Sequence, residues 1–243
     1  MNYLSLFDGS SCGQVALDRN GCLREGDKYF ASEIDPWAIK ITQKNYPNTI
    51  QVGDVRFVSA RVVPDIDLIL AGSPCQGFSF SGKQLAFDDP RSALFFEFTR
   101  ILEECRRYNP DVKFLLENVR MKQEYQDIIS GYLGVEPVAI NSSLVSAQNR
   151  YRLYWCNWDI TQPEDKGLTL KDVLVEGVAD SVGNQGTKVM KTDIDKSACL
   201  LARDYKGFGN QAMTGVRTCE LRKYDESEEC HHVGTALDIN GHD

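Results

Sequence analysis

The chain has 243 residues, 27 Lys and Arg against 35 Asp and Glu, and a formal net charge of −8. Its 42% hydrophobic content excludes wholesale disorder, and no apolar run reaches the roughly 18 residues that cross a bilayer. The acidic balance argues against a general nucleic-acid coat, which needs a basic surface. The segment MNYLSLFDGSS has no basic stretch followed by a long apolar one, so it does not read as a secretory signal. The eight cysteines are scattered and form no CxxC pair. Free thiols in a reducing, cytoplasmic setting are the expectation.

In chain order, residues 1–160 alternate strands and helices. Residues 3–7 form a short apolar run ending at the turn signal Asp8-Gly9, and a helix follows over 14–19. Residues 28–34 predict a second strand. Asp35-Pro36 opens a helix over 37–45, with proline at its favoured first position. A third strand at 50–52 ends at Gly53-Asp54. Residues 66–71 are continuously apolar, as in a strand buried on both faces. Residues 93–108 carry Leu94, Phe95, Phe98, Ile101, Leu102 and Cys105 near a 3.6-residue period, which predicts a helix. A buried strand at 112–116, a helix at 125–133 and strands at 135–140 and 152–155 complete the series. This alternation predicts an α/β fold, a doubly wound and mostly parallel sheet with ligands outside the carboxyl ends of its strands. Residues 161–243 are acidic, turn-rich and weakly periodic, and read as a separate irregular or short-stranded region.

Candidate chemistry gathers at the predicted strand ends. LSLFDGSSCG at 4–13 is a small-residue strand-to-helix loop that lets a ligand approach backbone N–H groups; an ordinary tight turn is the alternative. Glu33 ends the second strand, where a carboxylate can accept from ribose hydroxyls. Asp54 follows the third, where it can accept from an adenine amino group or cap a turn. AGSPCQGFS at 71–79 brings Cys75 out of a buried strand, with Pro74 stiffening the backbone before it. A thiolate there is a nucleophile; an inert small residue is the alternative. FLLENV at 114–119 sets Glu117 and Asn118 at the end of another buried strand, where a desolvated carboxyl can donate a proton near neutral pH. In QNRYR at 148–152, Gln148, Arg150 and Arg152 alternate and share one face if extended. Such a face suits a heterocycle carbonyl, a carboxylate or phosphates; a solvated strand face is the alternative.

In this order, FDGSSCG, SEIDPW, GDV, SPCQGFS, LLENV and QNRYR resemble the motifs of the cytosine carbon-5 DNA methyltransferases. The pattern is similar to bacterial and phage members, and GDVRFVS, FFEF and SLFDG are similar to the vertebrate de novo enzymes. The resemblance implies S-adenosyl-L-methionine as cofactor, double-stranded DNA as substrate and no metal. It implies that Cys75 attacks carbon 6 of a flipped cytosine. Glu117 would hydrogen-bond or protonate ring nitrogen 3, Arg152 would bind the base's carbonyl oxygen, and Arg150 would support the pocket or contact a phosphate. Phe7, Asp8, Gly9, Ser11 and Cys12 would form the cofactor loop, with Phe7 against the adenine. Glu33 would bind the ribose and Asp54 the adenine amino group, while Ile34, Val55, Pro74 and Leu94 complete the cofactor's surroundings. A cognate restriction endonuclease is a possible companion.

The sequence departs from this pattern in two places. Ser11 and Cys12 stand where many members have glycine. After QNRYR the family has a variable target-recognition region, a bracing segment and a final Gly-Asn motif, and the last two are not found in 161–243. The expectation is a 1–160 catalytic domain followed by a partial recognition region in a truncated chain. Arg203, Lys206, Arg217, Arg222, Lys223 and the loop YKGFGNQ suit DNA contact or an ordinary surface. Cys230, His231 and His232 fit no common zinc spacing. The alternatives are a catalytically impaired homologue or partner subunit, and a transfer-RNA cytosine-5 methyltransferase. A Rossmann oxidoreductase is more distant, because its glycine fingerprint is absent.

Overall fold

The structure, a computed structural model, describes residues 1–63, 65–74, 93–173, 182–186, 189–191, 195–197 and 213–216, with 182–191 and 213–216 described as backbone alone. Cys75 and the basic and histidine residues singled out beyond 197 lie outside the described residues.

The described residues form two compact units, one of residues 1–140 and 152–161, the other of 141–151 and 162–243. The sheet of the first unit begins with β1 (Asn2–Leu6), in which Tyr3, Leu4, Ser5 and Leu6 are all buried. Burial on both faces is what a central parallel strand requires. β1 pairs in parallel with β2 (Lys28–Ser32) on one side and with β4 (Leu68–Ala71) on the other. β3 (Ile50–Gln51) extends the sheet beyond β2, and β5 (Lys113–Val119) extends it beyond β4, both in parallel. β7 (Tyr151–Cys156) lies antiparallel to β5, and β6 (Val138–Asn141) forms the edge, giving the order β3-β2-β1-β4-β5-β7-β6. The chain runs outward from β1 to β3 and then resumes on the other side at β4. The order therefore reverses between β1 and β4, and a ligand crevice belongs outside the carboxyl ends at that point.

The helices connect these strands. α1 (Cys12–Arg19) follows β1, and α2 (Pro36–Asn45) follows β2. Asp35 caps α2 by accepting from the Trp37 and Ala38 N–H groups, and Pro36 takes the first turn, where its missing N–H costs nothing. α3 (Ala93–Tyr108) has the bounds that its apolar period predicts and buries Phe95, Phe98, Ile101, Leu102 and Cys105. Burial pushes the Cys105 thiol up to about 11, so it is a packing residue. α4 (Gln123–Leu133) ends at Gly134, whose φ of 71° is the left-handed cap that glycine tolerates best. Trp155 of β7 is fully buried and donates its indole N–H to Ser130 Oγ of α4 at 3.0 Å.

In the second unit, α5 (Leu170–Val173) and an antiparallel sheet of β8 (Val182–Gly186), β9 (Val189–Lys191) and β10 (Met213–Val216) are described. The expectation of short strands fits these described residues. Lys196 Nζ donates to the carbonyls of Ser143, at 2.7 Å, Ser146, at 3.1 Å, and Leu168. Among the described residues, no helix is long and apolar enough to cross a membrane.

Candidate active site

The loop after β1 is built from inside. Phe7, Gly9 and Ser11 all have positive φ, at 59°, 59° and 60°. Left-handed backbone costs a non-glycine residue about 1–2 kcal/mol, so Ser11 needs compensation. Its hydroxyl donates to Asp8 Oδ2 and accepts from Thr42 Oγ1 at 3.2 Å. Asp8 Oδ1 accepts from Tyr29 Oη at 2.9 Å. Burial, reinforced by the Asp8 carboxylate, pushes the Tyr29 phenol up, so it remains a donor. This network explains how serine stands at a position suited to glycine. It also turns the Asp8 and Ser11 side chains inward, leaving main-chain groups to face a ligand. Cys12 is exposed at the start of α1, where the first N–H groups have no partner within the helix. Gly13 allows α1 to sit against the sheet, since a Cβ there would lie 2.7 Å from Leu70 Cδ1 and 3.1 Å from Tyr29 Oη.

The next two strand ends stand beside this loop. Glu33 accepts from the Gly9 N–H at 2.7 Å and from the Ile34 and Asp35 N–H groups at 2.8 and 2.9 Å. It thus ties the loop after β1 to that after β2, and these three donors leave one of the roughly four lone-pair sites of the carboxylate to spare. Ile34 is 70% exposed. Asp54 caps a short turn at Val55–Phe57 by accepting from the Arg56 N–H at 3.0 Å. Its carboxylate also accepts from the Arg56 guanidinium, Nε at 3.0 Å from both oxygens. These hydrogen bonds hold the Asp54 carboxyl below the usual aspartate range. Val55 turns its side chain into the core, and Phe7 and Leu94 pack half-buried against it.

Across the reversal point, β5 runs on through Val119, so Glu117 and Asn118 lie within the strand and not beyond its end. The antiparallel register sets Arg152 opposite Val119 and Tyr154 opposite Glu117. Arg152 and Glu117 are therefore diagonal neighbours on one face. Their side chains meet, with Arg152 Nε 2.6 Å from Glu117 Oε1. Asn118 is buried and donates to Ser73 Oγ at 3.2 Å and to Ser73 O at 3.4 Å. A Cβ on Gly72 would lie 3.5 Å from Glu117 Oε2. The segment Gly72-Ser73-Pro74, which leads into Cys75, is thus fastened beside Glu117. Arg150 belongs to the second unit, where its N–H donates to Asn141 Oδ1 at 3.0 Å.

Four residues that hold these loops had no role assigned from the sequence: Tyr29, Thr42 and Asn118, and also Arg100, whose guanidinium donates to the Val55 and Val58 carbonyls. Asn118 was visible as a polar residue inside an apolar run. Arg100 carries a signal too, since Glu97, Arg100 and Glu104 have the i, i+3 and i+4 spacing of pairs on one helix flank. Tyr29 and Thr42 carry none, because their partners are distant in sequence.

Comparison with known proteins gives this arrangement a context. Residues 1–127 match the family described as C-5 cytosine-specific DNA methylase. The chain is 44% identical over 122 residues to Type II methyltransferase M.NlaIV of Neisseria lactamica, a match covering 49% of this chain and 28% of that protein. It is 35% identical over 195 residues to Type II methyltransferase M.HhaI of Haemophilus parahaemolyticus, covering 72% of this chain and 57% of that one. The chain thus spans between about a quarter and just over half of the length of these curated relatives. Its fold resembles Entamoeba histolytica methyltransferase EhMeth, with a TM-score of 0.61 at 16% identity over 88% of this chain and 73% of that one. It also resembles a mutant of Spodoptera frugiperda DNMT2, with a TM-score of 0.55 at 22% identity over 73% of this chain and 60% of that one. The family match spans β1 through the Glu117 strand, the stretch in which the carboxylates and the Ser73–Pro74 segment are assembled, and on this basis the chain belongs to the C-5 cytosine-specific DNA methylases.

Proposed function

We infer that this chain contributes the methyl-transfer machinery for carbon 5 of cytosine in double-stranded DNA, with S-adenosyl-L-methionine as methyl donor. The observation that carries the reading is the Glu117–Arg152 pair at 2.6 Å, set beside the segment that leads into Cys75. Ring nitrogen 3 and the carbonyl oxygen of cytosine are adjacent on one edge of the base. A carboxyl and a guanidinium already in contact present the hydrogen-bonding groups which that edge requires.

The residues on the cofactor side fit the donor. At the parallel strand ends stand the N–H groups starting α1, the Glu33 carboxylate with one lone-pair site to spare, Asp54 and an exposed Ile34. In this reading Glu33 accepts from ribose hydroxyls, Asp54 accepts from the adenine amino group, and Phe7 and Ile34 pack on the adenine. Gly9, Cys12, Val55, Pro74 and Leu94 complete the enclosure. The bound cofactor supplies an electrophilic methyl group.

The Cys75 thiolate forms a bond to carbon 6, and the electron pair of the carbon 5–carbon 6 double bond becomes available at carbon 5 to take the methyl group. Glu117 holds or supplies the proton at nitrogen 3 and Arg152 holds the carbonyl oxygen, which limits the charge that develops on the ring. Loss of the carbon-5 proton to a base then returns the electron pair, re-forms the double bond and expels the thiolate. Access to carbon 6 requires the base to leave the duplex.

The test is transfer of labelled methyl groups to duplex DNA, with transfer RNA as competitor. The wild-type chain is expected to label the DNA and Cys75→Ser to lose the labelling. Labelling of the transfer RNA in place of DNA would move the activity to RNA, and no labelling of either would overturn the reading for this chain.

A further inference from the structure

Arg100 sits on the solvent flank of α3, five residues after Phe95 of the buried stripe, yet its guanidinium reaches well beyond its own helix. It donates to the carbonyls of Val58 at 2.9 Å and Val55 at 3.3 Å. It is held in place by Glu97, at 2.8 Å from Nε, and by Glu104, at 2.8 Å from Nη1. Glu104 in turn accepts from the Ala60 N–H at 3.1 Å. The turn that starts at Asp54 and its continuation to Ala60 are therefore fastened to α3 at three main-chain points. The hydrogen bonds that Asp54 itself receives come from Arg56, inside the same turn. They shape the carboxylate locally but do not fix where the turn sits. The start of the turn is anchored on the sheet side by the Ser32 hydroxyl, which donates to the Gly53 carbonyl at 2.7 Å, and by the buried Val55 and Val58, and α3 holds its main chain through Val55, Val58 and Ala60.

We propose that Arg100 is a positioning residue for the cofactor's adenine end, acting through the turn that carries Asp54. The proposal rests on the reading of Asp54 as the acceptor for the adenine amino group. A planar guanidinium can bind two carbonyls and two carboxylates at once, and a lysine ammonium cannot reproduce that fork. Loss of the fork leaves β3 in place and loosens the register between Asp54 and whatever lies at the strand ends. The expected consequence is loss of discrimination at the 6-position of the purine. A carboxylate accepts from an amino group there and repels a carbonyl oxygen.

The experiment is calorimetric titration of the full chain with S-adenosylhomocysteine and with its inosine counterpart, in which a carbonyl replaces the amino group. The wild type is expected to prefer the amino compound by about tenfold or more, the effect of one hydrogen bond to a charged acceptor. Arg100→Lys and Arg100→Met are expected to cut that preference by about threefold or more, with Arg100→Lys retaining the wild-type thermal unfolding midpoint to within a few degrees. A purely structural arginine would lower both affinities together and leave their ratio unchanged. An unchanged ratio in both Arg100 variants, beside a reduced ratio in Asp54→Asn, would overturn the proposal and leave the reading of Asp54 standing. An unchanged ratio in Asp54→Asn as well would overturn the reading of Asp54 and the proposal with it.

Discussion

Asp54 and Arg56 show how a carboxylate after a strand end is kept charged. Side-chain hydrogen bonding from Arg56, followed by the Arg56 backbone N–H, favours the ionised form of Asp54. The folded chain therefore keeps this charge to lower pH than the unfolded chain does. Its stabilising contribution is complete above the ordinary aspartate range and is lost as pH falls through the folded value. Carboxyl-carbon NMR titration of the ligand-free chain is expected to place Asp54 below the ordinary value, and Arg56→Ala to bring it part of the way back, since the backbone N–H of residue 56 still donates to it. A wild-type midpoint at or above the ordinary value would contradict the pairing. At this scale the sequence was informative where chemistry sits at strand ends. The places of Glu33, Asp54 and Glu117 on the sheet were legible because each follows an apolar run, whereas the contact of Arg152 with Glu117 depends on the antiparallel register of β5 with β7. The inward turn of Asp8 was not legible. Its partner Tyr29 comes from the next strand, and only the parallel register of β1 with β2 brings the two together.

α3 serves two purposes, and its two faces were legible to different degrees. The stripe Phe95, Phe98, Ile101, Leu102 and Cys105 is buried and predicted the helix with its observed bounds, since a 3.6-residue period over 16 residues leaves little ambiguity. Phe98 is fully buried and lies against Phe114 of β5 with ring centroids 6.1 Å apart. Phe98→Ala is expected to destabilise the fold by about 3–5 kcal/mol through lost burial and a residual cavity, read by chemical denaturation. A loss under about 1 kcal/mol would mean that the site collapses around the smaller side chain. The flank with Glu97, Arg100 and Glu104 reads in sequence as an ordinary solvated face. Its partners are main-chain groups of residues 55–60, and main-chain acceptors leave no trace in residue identity. β5 was read three residues short for a related reason. Glu117 and Asn118 break the apolar run, but β7 continues to pair beside them, and sheet pairing does not require apolar side chains.

For the whole molecule, the net charge of −8 first argued against nucleic acid. Binding depends on the local field and not on the sum over the chain, so an acidic total does not exclude a DNA substrate. The doubly wound, mostly parallel sheet was legible, because alternating strands and helices admit few topologies. The antiparallel β7 was not, since a short apolar run carries no record of its direction. The second unit was least legible. Among its described residues, Lys196 donates to three carbonyls, and main-chain acceptors of that kind leave no periodic pattern in the sequence. In the proposed reading, Glu117 and Arg152, beside the segment leading to Cys75, act together to give one product, 5-methylcytosine. The most direct measurement is bisulfite sequencing of duplex DNA incubated with S-adenosyl-L-methionine and either the wild-type chain or Cys75→Ser. The account predicts protected cytosines at a recurring sequence with the wild type and none with Cys75→Ser. Full conversion with both, or equal protection with both, would contradict it.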